Sequence, residues 1–366
     1  MDENMECKKR GFGRIIGCIF AFIGVTLAMA VVCLYCVMWV CVNGPSEEVK
    51  ELFVLSVRET SAGGFLANIY LSDEEIRQIE EENTVVETNE ITDTSIVTID
   101  NDSKKNSEIT EEQSATSDSA NATYIVETSY DKSIMVENGI EFHDIEGATF
   151  TGKMMVVKNP DRVFIGTPRD CYDGQPGISV PEIADRYGAI AAVNGGFFED
   201  TGGIGDGGTP LGFVFSRGKQ LYGGTTQEYN MMGFNEAGIL ICGRMTGAEA
   251  LELGIRDGLS CDPFLVINGE GLNVSGKGGG LNPRTAVGQR ADGAVLILTI
   301  DGRQATSLGA AMSDMVDVML AFGAVNAGNL DGGGSTVLYY DKEIRNVVMS
   351  IYGARGVPDA VCVMPE

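Results

Sequence analysis

The chain has 366 residues, a net charge of −26 and 44% hydrophobic residues, enough for one large domain with appendages. Such acidity excludes a general nucleic-acid surface, because phosphate backbones demand a basic face. The single histidine, His143, argues against a Ser-His-Asp triad and a multi-histidine zinc site alike.

Residues 1–14 form a basic tail, with Lys8, Lys9, Arg10 and Arg14. Residues 15–42 follow without a charge, and about 20 apolar residues suffice to cross the hydrocarbon core. The basic flank then predicts a cytoplasmic N-terminus and an extracellular C-terminal part. A cleaved signal peptide is the alternative reading, but its apolar region spans only about 7–15 residues. The run is therefore read as a single-pass anchor in the cell membrane, with lipid as its partner. Cys7, Cys18, Cys33, Cys36 and Cys41 lie in or beside it, as small apolar fillers or as lipidation sites. Beyond it stand only Cys171, Cys242, Cys261 and Cys362. Their spacing names no disulfide framework and contains no CxxC pair.

Residues 43–82 predict a juxtamembrane helical segment. Within it, Ser72-Asp73-Glu74-Glu75-Ile76 reads as a helix start, with a Ser N-cap and acids in the first turn. Residues 83–123 are rich in Thr, Ser, Asn, Asp and Glu and lack a sustained apolar period, which predicts a solvated acidic linker. The acidity concentrates here: residues 44–131 hold 21 Asp/Glu against 5 Lys/Arg, and residues 132–366 hold 28 against 17.

From residue 124 the texture changes, and 41 of the 48 glycines follow Lys132. Short apolar runs alternate with Gly, Asn and Asp turns at residues 154–157, 163–165, 189–193, 212–215, 264–267, 295–300 and 337–340. Continuous β-branched and aromatic runs of this length predict strands buried on both faces. Helices are predicted at residues 180–187, 247–253 and 313–322. In the last, Met315, Val318, Met319 and Phe322 share one face, a core stripe. The fold expected is a single α+β domain over residues 124–366, with a largely β core and a few packed helices.

Polar residues follow several of these runs. Asn329-Leu330-Asp331-Gly332-Gly333-Gly334-Ser335-Thr336 places a carboxylate beside three glycines and two hydroxyls. Glycines permit turns and close backbone approach to a ligand, so core packing does not explain the composition. Asn194-Gly195-Gly196-Phe197-Phe198 has the same character. Asp301-Gly302-Arg303 is, by itself, a common turn sequence. Asn282-Pro283-Arg284-Thr285-Ala286-Val287-Gly288 supplies an arginine, whose guanidinium can hold a phosphate through two parallel hydrogen bonds or make a structural ion pair. The preceding Gly276-Lys277-Gly278-Gly279-Gly280 is not a P-loop, because no Gly-Lys-Ser/Thr leads into a helix. Residues 202–208, rich in glycine, read as a lid or a plain connection, the second preferred, with contact residues at its edges.

At these residues the domain resembles the phosphodiester glycosidase family, including its bacterial branch related to exopolysaccharide biosynthesis. The resemblance runs from about residue 140 to residue 363. Its motifs include Asp144-Ile145-Glu146-Gly147, Asn159-Pro160-Asp161-Arg162-Val163, Ala192-Val193-Asn194-Gly195-Gly196-Phe197-Phe198 and Pro210-Leu211-Gly212. Asn268-Gly269-Glu270, Arg284-Thr285-Ala286-Val287-Gly288, Asp301-Gly302-Arg303 and the Asn329–Thr336 stretch continue the order. The closing motif is Gly353-Ala354-Arg355-Gly356-Val357-Pro358, where Ala354 stands in the place that a Glu more often takes.

The resemblance implies hydrolysis of a sugar-1-phosphodiester, in cell-surface or exopolysaccharide glycans. Ordinary glycoside hydrolysis uses two carboxylates; a phosphate leaving group needs less protonation, and a cation can replace part of the acid. On this reading Asp331 is the base or nucleophile, and Asp301 or Glu270 is its partner carboxylate. Arg284 holds the phosphate, with Arg303 as second choice. Asn194, Gly195, Thr285, Asn329, Gly332, Gly333, Ser335 and Thr336 contact the substrate, and Phe197 or Phe198 packs on a sugar face. No cofactor is required, although clustered Asp and Asn admit a divalent cation such as calcium. The alternative function is a non-catalytic glycan-binding or assembly factor of the cell envelope.

Overall fold

Residue order alone sets up an N-terminal helix, a small helical module and a β domain. The structure, a computed structural model, describes residues 3–60, 63–99, 131–200, 205–350 and 353–366. Helix α1 spans Glu3–Asn43, and its Gly17–Asn43 stretch is long and apolar enough to cross a membrane. Its apolar side chains are exposed along most of that length. Helices α2 (Glu47–Arg58) and α3 (Asp73–Glu82) follow. Ser72 and Glu75 close a capping box at the start of α3, as the sequence predicts. Val54, Leu55, Ala67, Ile76 and Ile79 bury against one another, so this module has a small core of its own.

Residues 83–99 depart from the linker expectation. Val85 bridges Val274, and the Val86 N–H donates to the Asn273 carbonyl at 2.9 Å. Thr92 is buried: its hydroxyl donates to Asn326 Oδ1 at 2.9 Å and accepts from the Cys242 N–H at 2.9 Å. Val97 is buried as well. Scattered Val, Ile and Thr carry no periodicity, yet they suffice when the β domain offers free backbone partners. The remainder of the expected linker, and the domain start at residue 124, lie outside the described residues.

The β domain begins with β1 (Asp131–Glu137), β2 (Ile140–Glu146), β3 (Thr151–Val157) and β4 (Val163–Gly166), then helix α4 (Val180–Tyr187). Next come β5 (Ala191–Asn194), β6 (Val214–Ser216), β7 (Lys219–Tyr222), β8 (Glu228–Asn235) and β9 (Leu240–Thr246). Helix α5 (Gly247–Glu252) leads to β10 (Ile255–Ser260), β11 (Phe264–Ile267), β12 (Glu270–Gly271), β13 (Arg284–Arg290) and β14 (Val295–Ile300). Helix α6 (Met312–Ala321), β15 (Ala324–Asn329), β16 (Leu338–Tyr340), β17 (Glu343–Ile344) and β18 (Ala360–Val363) close the chain.

These strands form three sheets, in an α+β architecture. An eight-stranded sheet runs β1-β2-β3-β14-β13-β15-β11-β12, and two five-stranded sheets run β7-β6-β10-β8-β9 and β17-β16-β5-β18-β4. Every residue of β14 is buried, as its nearly continuous apolar run, interrupted only by Thr299, predicts. One of its faces joins a core shared by all three sheets through Val295 and Ile297, where Met232, Val193 and Val361 also lie. Leu296 and Leu298 on the other face meet Met315, Val318 and Met319 of α6. The predicted Met stripe is therefore core. His143 lies in β2, edge-to-face with Phe322. Cys242, Cys261 and Cys362 are buried free thiols and Cys171 is an exposed one.

Candidate active site

Three strand ends converge. β13 and β15 pair with Ala286 opposite Asn329, so the start of β13 lies beside the end of β15. β5 belongs to a different sheet, and buried polar side chains tie its last residue to the first two. Asn194 Nδ2 donates to the Asp331 carbonyl at 2.6 Å, while its Oδ1 accepts from Thr285 Oγ1 at 2.8 Å and the Val337 N–H at 3.2 Å. The Asp331 N–H donates to the Gly195 carbonyl at 3.2 Å. Asn194 is fully buried, and every one of these bonds satisfies a group that would otherwise be costly to bury.

Where the strands meet, a cleft of about 380 Å3 opens, with Asp331, Gly332, Gly333, Gly334 and Ser335 along one side. Asn282, Arg284, Arg303, Asp200, Asp262, Arg355, Phe197 and Glu59 contribute to the rest of its lining. Gly333 has φ +60 and its N–H donates to the Pro283 carbonyl at 2.8 Å. A left-handed turn here brings the backbone close to the wall that carries Arg284, a conformation glycine adopts without strain.

Burial pushes the Asp331 carboxyl up to about 6. Hydrogen bonds from Ser335 and the Gly332 N–H, and the charge of Arg355, oppose that rise. A carboxylate in this range is ionised at neutral pH yet basic enough to accept a proton. Arg303 is held at the cleft by Asn282 Oδ1, which accepts from its Nε at 3.1 Å and its Nη2 at 2.8 Å. Burial, then the nearby Arg284 charge, lowers the Arg303 pKa, and Glu59 counters them. Arg355 donates to Asp200 Oδ2 at 2.7 Å and to the Gly205 carbonyl at 2.8 Å, with its guanidinium 4.7 Å from the Phe198 ring centre.

Not every residue singled out from sequence reaches the cleft. Asp331, Arg303, Asn329, Gly332, Gly333 and Ser335 line it. Asn194, Gly195, Thr285 and Thr336 lie beneath, and Thr285 and Asn194 brace the turn. Asp301 instead accepts from the Val347 N–H at 3.0 Å through Oδ1, outside the cleft lining. Glu270 is exposed on β12, at the Ile267 end of β11, whereas the cleft lies at the Phe264 end beside Gly328. Neither lines the cleft beside Asp331. Arg284 does line the cleft, but its guanidinium donates to Glu59, Gly280 and Ala310, so Arg303 is the less committed cation. Among the described residues, no group of three His, Cys, Asp or Glu is arranged to hold a metal ion.

Residues 187–364 match the model of the phosphodiester glycosidase family. That span takes in most of the β domain, which is similar to that family. A bovine relative (Bos taurus), N-acetylglucosamine-1-phosphodiester alpha-N-acetylglucosaminidase, is 31% identical over 189 residues, 46% of this chain and 34% of the relative. The SPbeta prophage-derived uncharacterized protein YomE of Bacillus subtilis is 41% identical over 83 residues, 22% of this chain and 13% of that protein. The chain thus spans about a third or less of the length of these curated relatives. Among solved structures, the zebrafish N-acetylglucosamine-1-phosphodiester alpha-N-acetylglucosaminidase catalytic domain, auto-inhibited by its pro-peptide, shares the fold. It aligns with TM-score 0.52 at 20% identity, over 62% of this chain and 82% of that one.

In the closing motif, Arg355 finds its counter-charge outside the motif. Ala354 packs beside the cluster that contains Phe198, and Asp200 pairs with Arg355. Burial raises the Asp200 carboxyl, but Arg355 and the Gly205 N–H outweigh it and leave the pKa low. Sequence reading missed Asp200, although it lies just past the Asn194 motif. It also missed Asp359, which is buried directly under the glycines of that motif. Asp359 Oδ1 accepts from the Gly196 N–H at 2.7 Å, and Oδ2 has no hydrogen-bond partner. Burial pushes this carboxyl up to about 7, the Gly196 bond lowers it and the Asp331 charge raises it further. Glu59 carried no signal, standing 225 residues from its partner Arg284.

Proposed function

We propose that the cleft hydrolyses sugar-1-phosphodiesters. The observation that carries this reading is Asp331, held near pKa 6 in a cleft it shares with Arg303 and Arg355. In the reaction the bond from the anomeric carbon to the phosphate oxygen breaks, and its electron pair leaves with the phosphate. Asp331 either accepts the proton of an attacking water, or attacks the anomeric carbon to form a glycosyl ester that water then hydrolyses, freeing the carboxylate again. Water's oxygen ends on the sugar and the phosphate monoester departs. A phosphate leaving group is weakly basic, so a fixed guanidinium stabilises the departing charge without full protonation. Arg303 takes this role in preference to Arg284, and the Arg355–Asp200 pair also lines the cleft. The Phe197 ring offers an apolar face for the sugar. The scheme uses no metal.

The names of the bovine and zebrafish relatives support an N-acetylglucosamine phosphodiester as the first substrate to try. The apolar helix α1 supports a membrane-anchored enzyme with its domain outside the cell, acting on surface or exopolysaccharide glycans. The full-length protein in detergent should release free sugar from a panel of sugar-1-phosphodiesters, with mass detection of the product. Glycan binding without release would instead mark an assembly factor and overturn the catalytic reading.

A further inference from the structure

The wall of the cleft that carries Asn282 and Arg284 is not built by the β domain alone. Glu59, the C-cap residue of α2, lies against it. Its Oε1 accepts from the Gly280 N–H at 2.7 Å, and its Oε2 accepts from Asn282 Nδ2 at 2.6 Å and Arg284 Nη2 at 2.7 Å. The contact is backbone-tight. A Cβ on Gly280 would stand 2.2 Å from the Ser56 nitrogen, and Ser56 Oγ accepts from the Leu281 N–H at 2.9 Å.

We propose that Glu59 is a positioning residue of the cleft, which sets the amide of Asn282 and through it the guanidinium of Arg303. A neutral amide has one donor end and one acceptor end. An ionised carboxylate only accepts, so Glu59 draws the NH2 end of Asn282 toward itself. The oxygen must then face Arg303, where it receives both Nε and Nη2. A flipped amide would set oxygen against oxygen at Glu59 and donor against donor at Arg303.

Glu59 also supplies the counter-charge for two neighbouring guanidiniums. The Arg284 side chain is 8% exposed, and its other acceptors are the neutral carbonyls of Gly280 and Ala310. Removing the one carboxylate strands a buried cation beside a second. Glu59 is a wall and not a stopper, because the cleft it lines remains open toward Asp331 and Arg303. The juxtamembrane module is thus part of the site. It is also tied to α1, where Tyr70 donates to the Tyr35 carbonyl at 2.9 Å.

The test compares full-length wild type, Glu59→Gln, Arg303→Gln and the double variant. It rests on the phosphodiester reading only for its substrate, a sugar-1-phosphodiester. Glu59→Gln should raise KM about tenfold or more with kcat changed less than about threefold. In KM the double variant should be no worse than Arg303→Gln alone, since Glu59 acts on substrate through the Arg303 guanidinium, whereas the lost Arg284 counter-charge is read as lower stability. A lower KM in Glu59→Gln would mean that the carboxylate competes with substrate, and additive losses would mean that it does not act through Arg303; either overturns the proposal. Should Glu59→Gln not fold, Glu59→Asp keeps the charge and loses the reach, and an unchanged KM there is equally contrary. If the wild type cleaves no phosphodiester, the proposed function fails but the positioning role is still read from a crystal structure of Glu59→Gln or Glu59→Asp. Arg303 should have left Asn282 Oδ1; Arg303 unmoved refutes it.

Discussion

Asn194 and Asp331 are 137 residues apart in the chain, yet the Asn194 amide donates to the Asp331 carbonyl at 2.6 Å. That bond joins the last residue of β5 to the turn after β15, and so two different sheets. It fixes the backbone from which the Asp331 carboxylate projects, while the Asp331 N–H is held by Gly195. The backbone that carries the Asp331 carboxylate is therefore held from two sides, while the carboxylate itself accepts from Ser335 and the Gly332 N–H.

Asp331→Asn should abolish turnover, by more than about a thousandfold, while stabilising the fold at alkaline pH. The carboxyl moves from an ordinary 3.8 to about 6 because burial disfavours its charge. The folded state then holds the proton more tightly, so its contribution to stability is complete below about pH 4 and is lost as pH rises through 6. The variant escapes that loss, which amounts to at most about 3 kcal/mol. Thermal melts at pH 8 and pH 4 decide: the gain belongs at pH 8 only.

The same ionisation predicts the acid side of the pH profile. Activity expressed as kcat/KM should rise through about pH 6 as Asp331 becomes ionised. A limb centred near pH 4 would assign the base to a carboxylate in an ordinary environment.

Arg303→Gln should cost about 1.5–3 kcal/mol of binding, the range for a hydrogen bond to a charged group, seen as a KM roughly ten- to a hundredfold higher. Glu270→Gln, on the exposed β12, should leave kinetics unchanged. Measuring both under one assay separates the cleft from a carboxylate that the family resemblance had offered as a partner of Asp331.

Gly195→Ala tests the packing under the site. Its Cβ would meet Asp359 Oδ1 at 2.1 Å, and Asp359 is buried with that oxygen already bonded to the Gly196 N–H. Overpacking of this kind costs about 1–3 kcal/mol. Because the Gly195 carbonyl receives the Asp331 N–H, activity at a permissive temperature should fall as well. A variant with wild-type melting and wild-type rate would refute this arrangement.

Thr92→Val should destabilise the domain by about 1–3 kcal/mol, because it leaves Asn326 Oδ1 and the Cys242 N–H with fewer partners. Denaturant unfolding measures this directly. If residues 83–99 were solvated, the substitution would be silent.

Local patterns were enough for much of the fold. The run from Val295 to Ile300 was legible as a buried strand, because a strand covered on both faces needs no polar alternation. Ser72 and Glu75 announced the start of α3, since a cap is chemistry between residues three apart. Asp331 with its three glycines was legible as a site, because that composition has no use in a core.

What local patterns could not rank were three similar carboxylates. Asp301 and Asp331 both precede glycine after a strand, and Glu270 also ends a turn. Only strand order, which sets β13 beside β15 and the β5 end beneath them, decides that Asp331 faces the cleft, Asp301 faces Val347 and Glu270 stands at the far end. The packing of residues 83–99 and the reach of Glu59 to Arg284 are long-range in the same sense. By itself, the sequence determined which segments were apolar helix, strand and polar turn, because those follow from neighbours a few residues away. The tertiary structure alone decided which turns share a cleft and which charge answers which, because burial and hydrogen-bond partners are set by chain segments hundreds of residues apart.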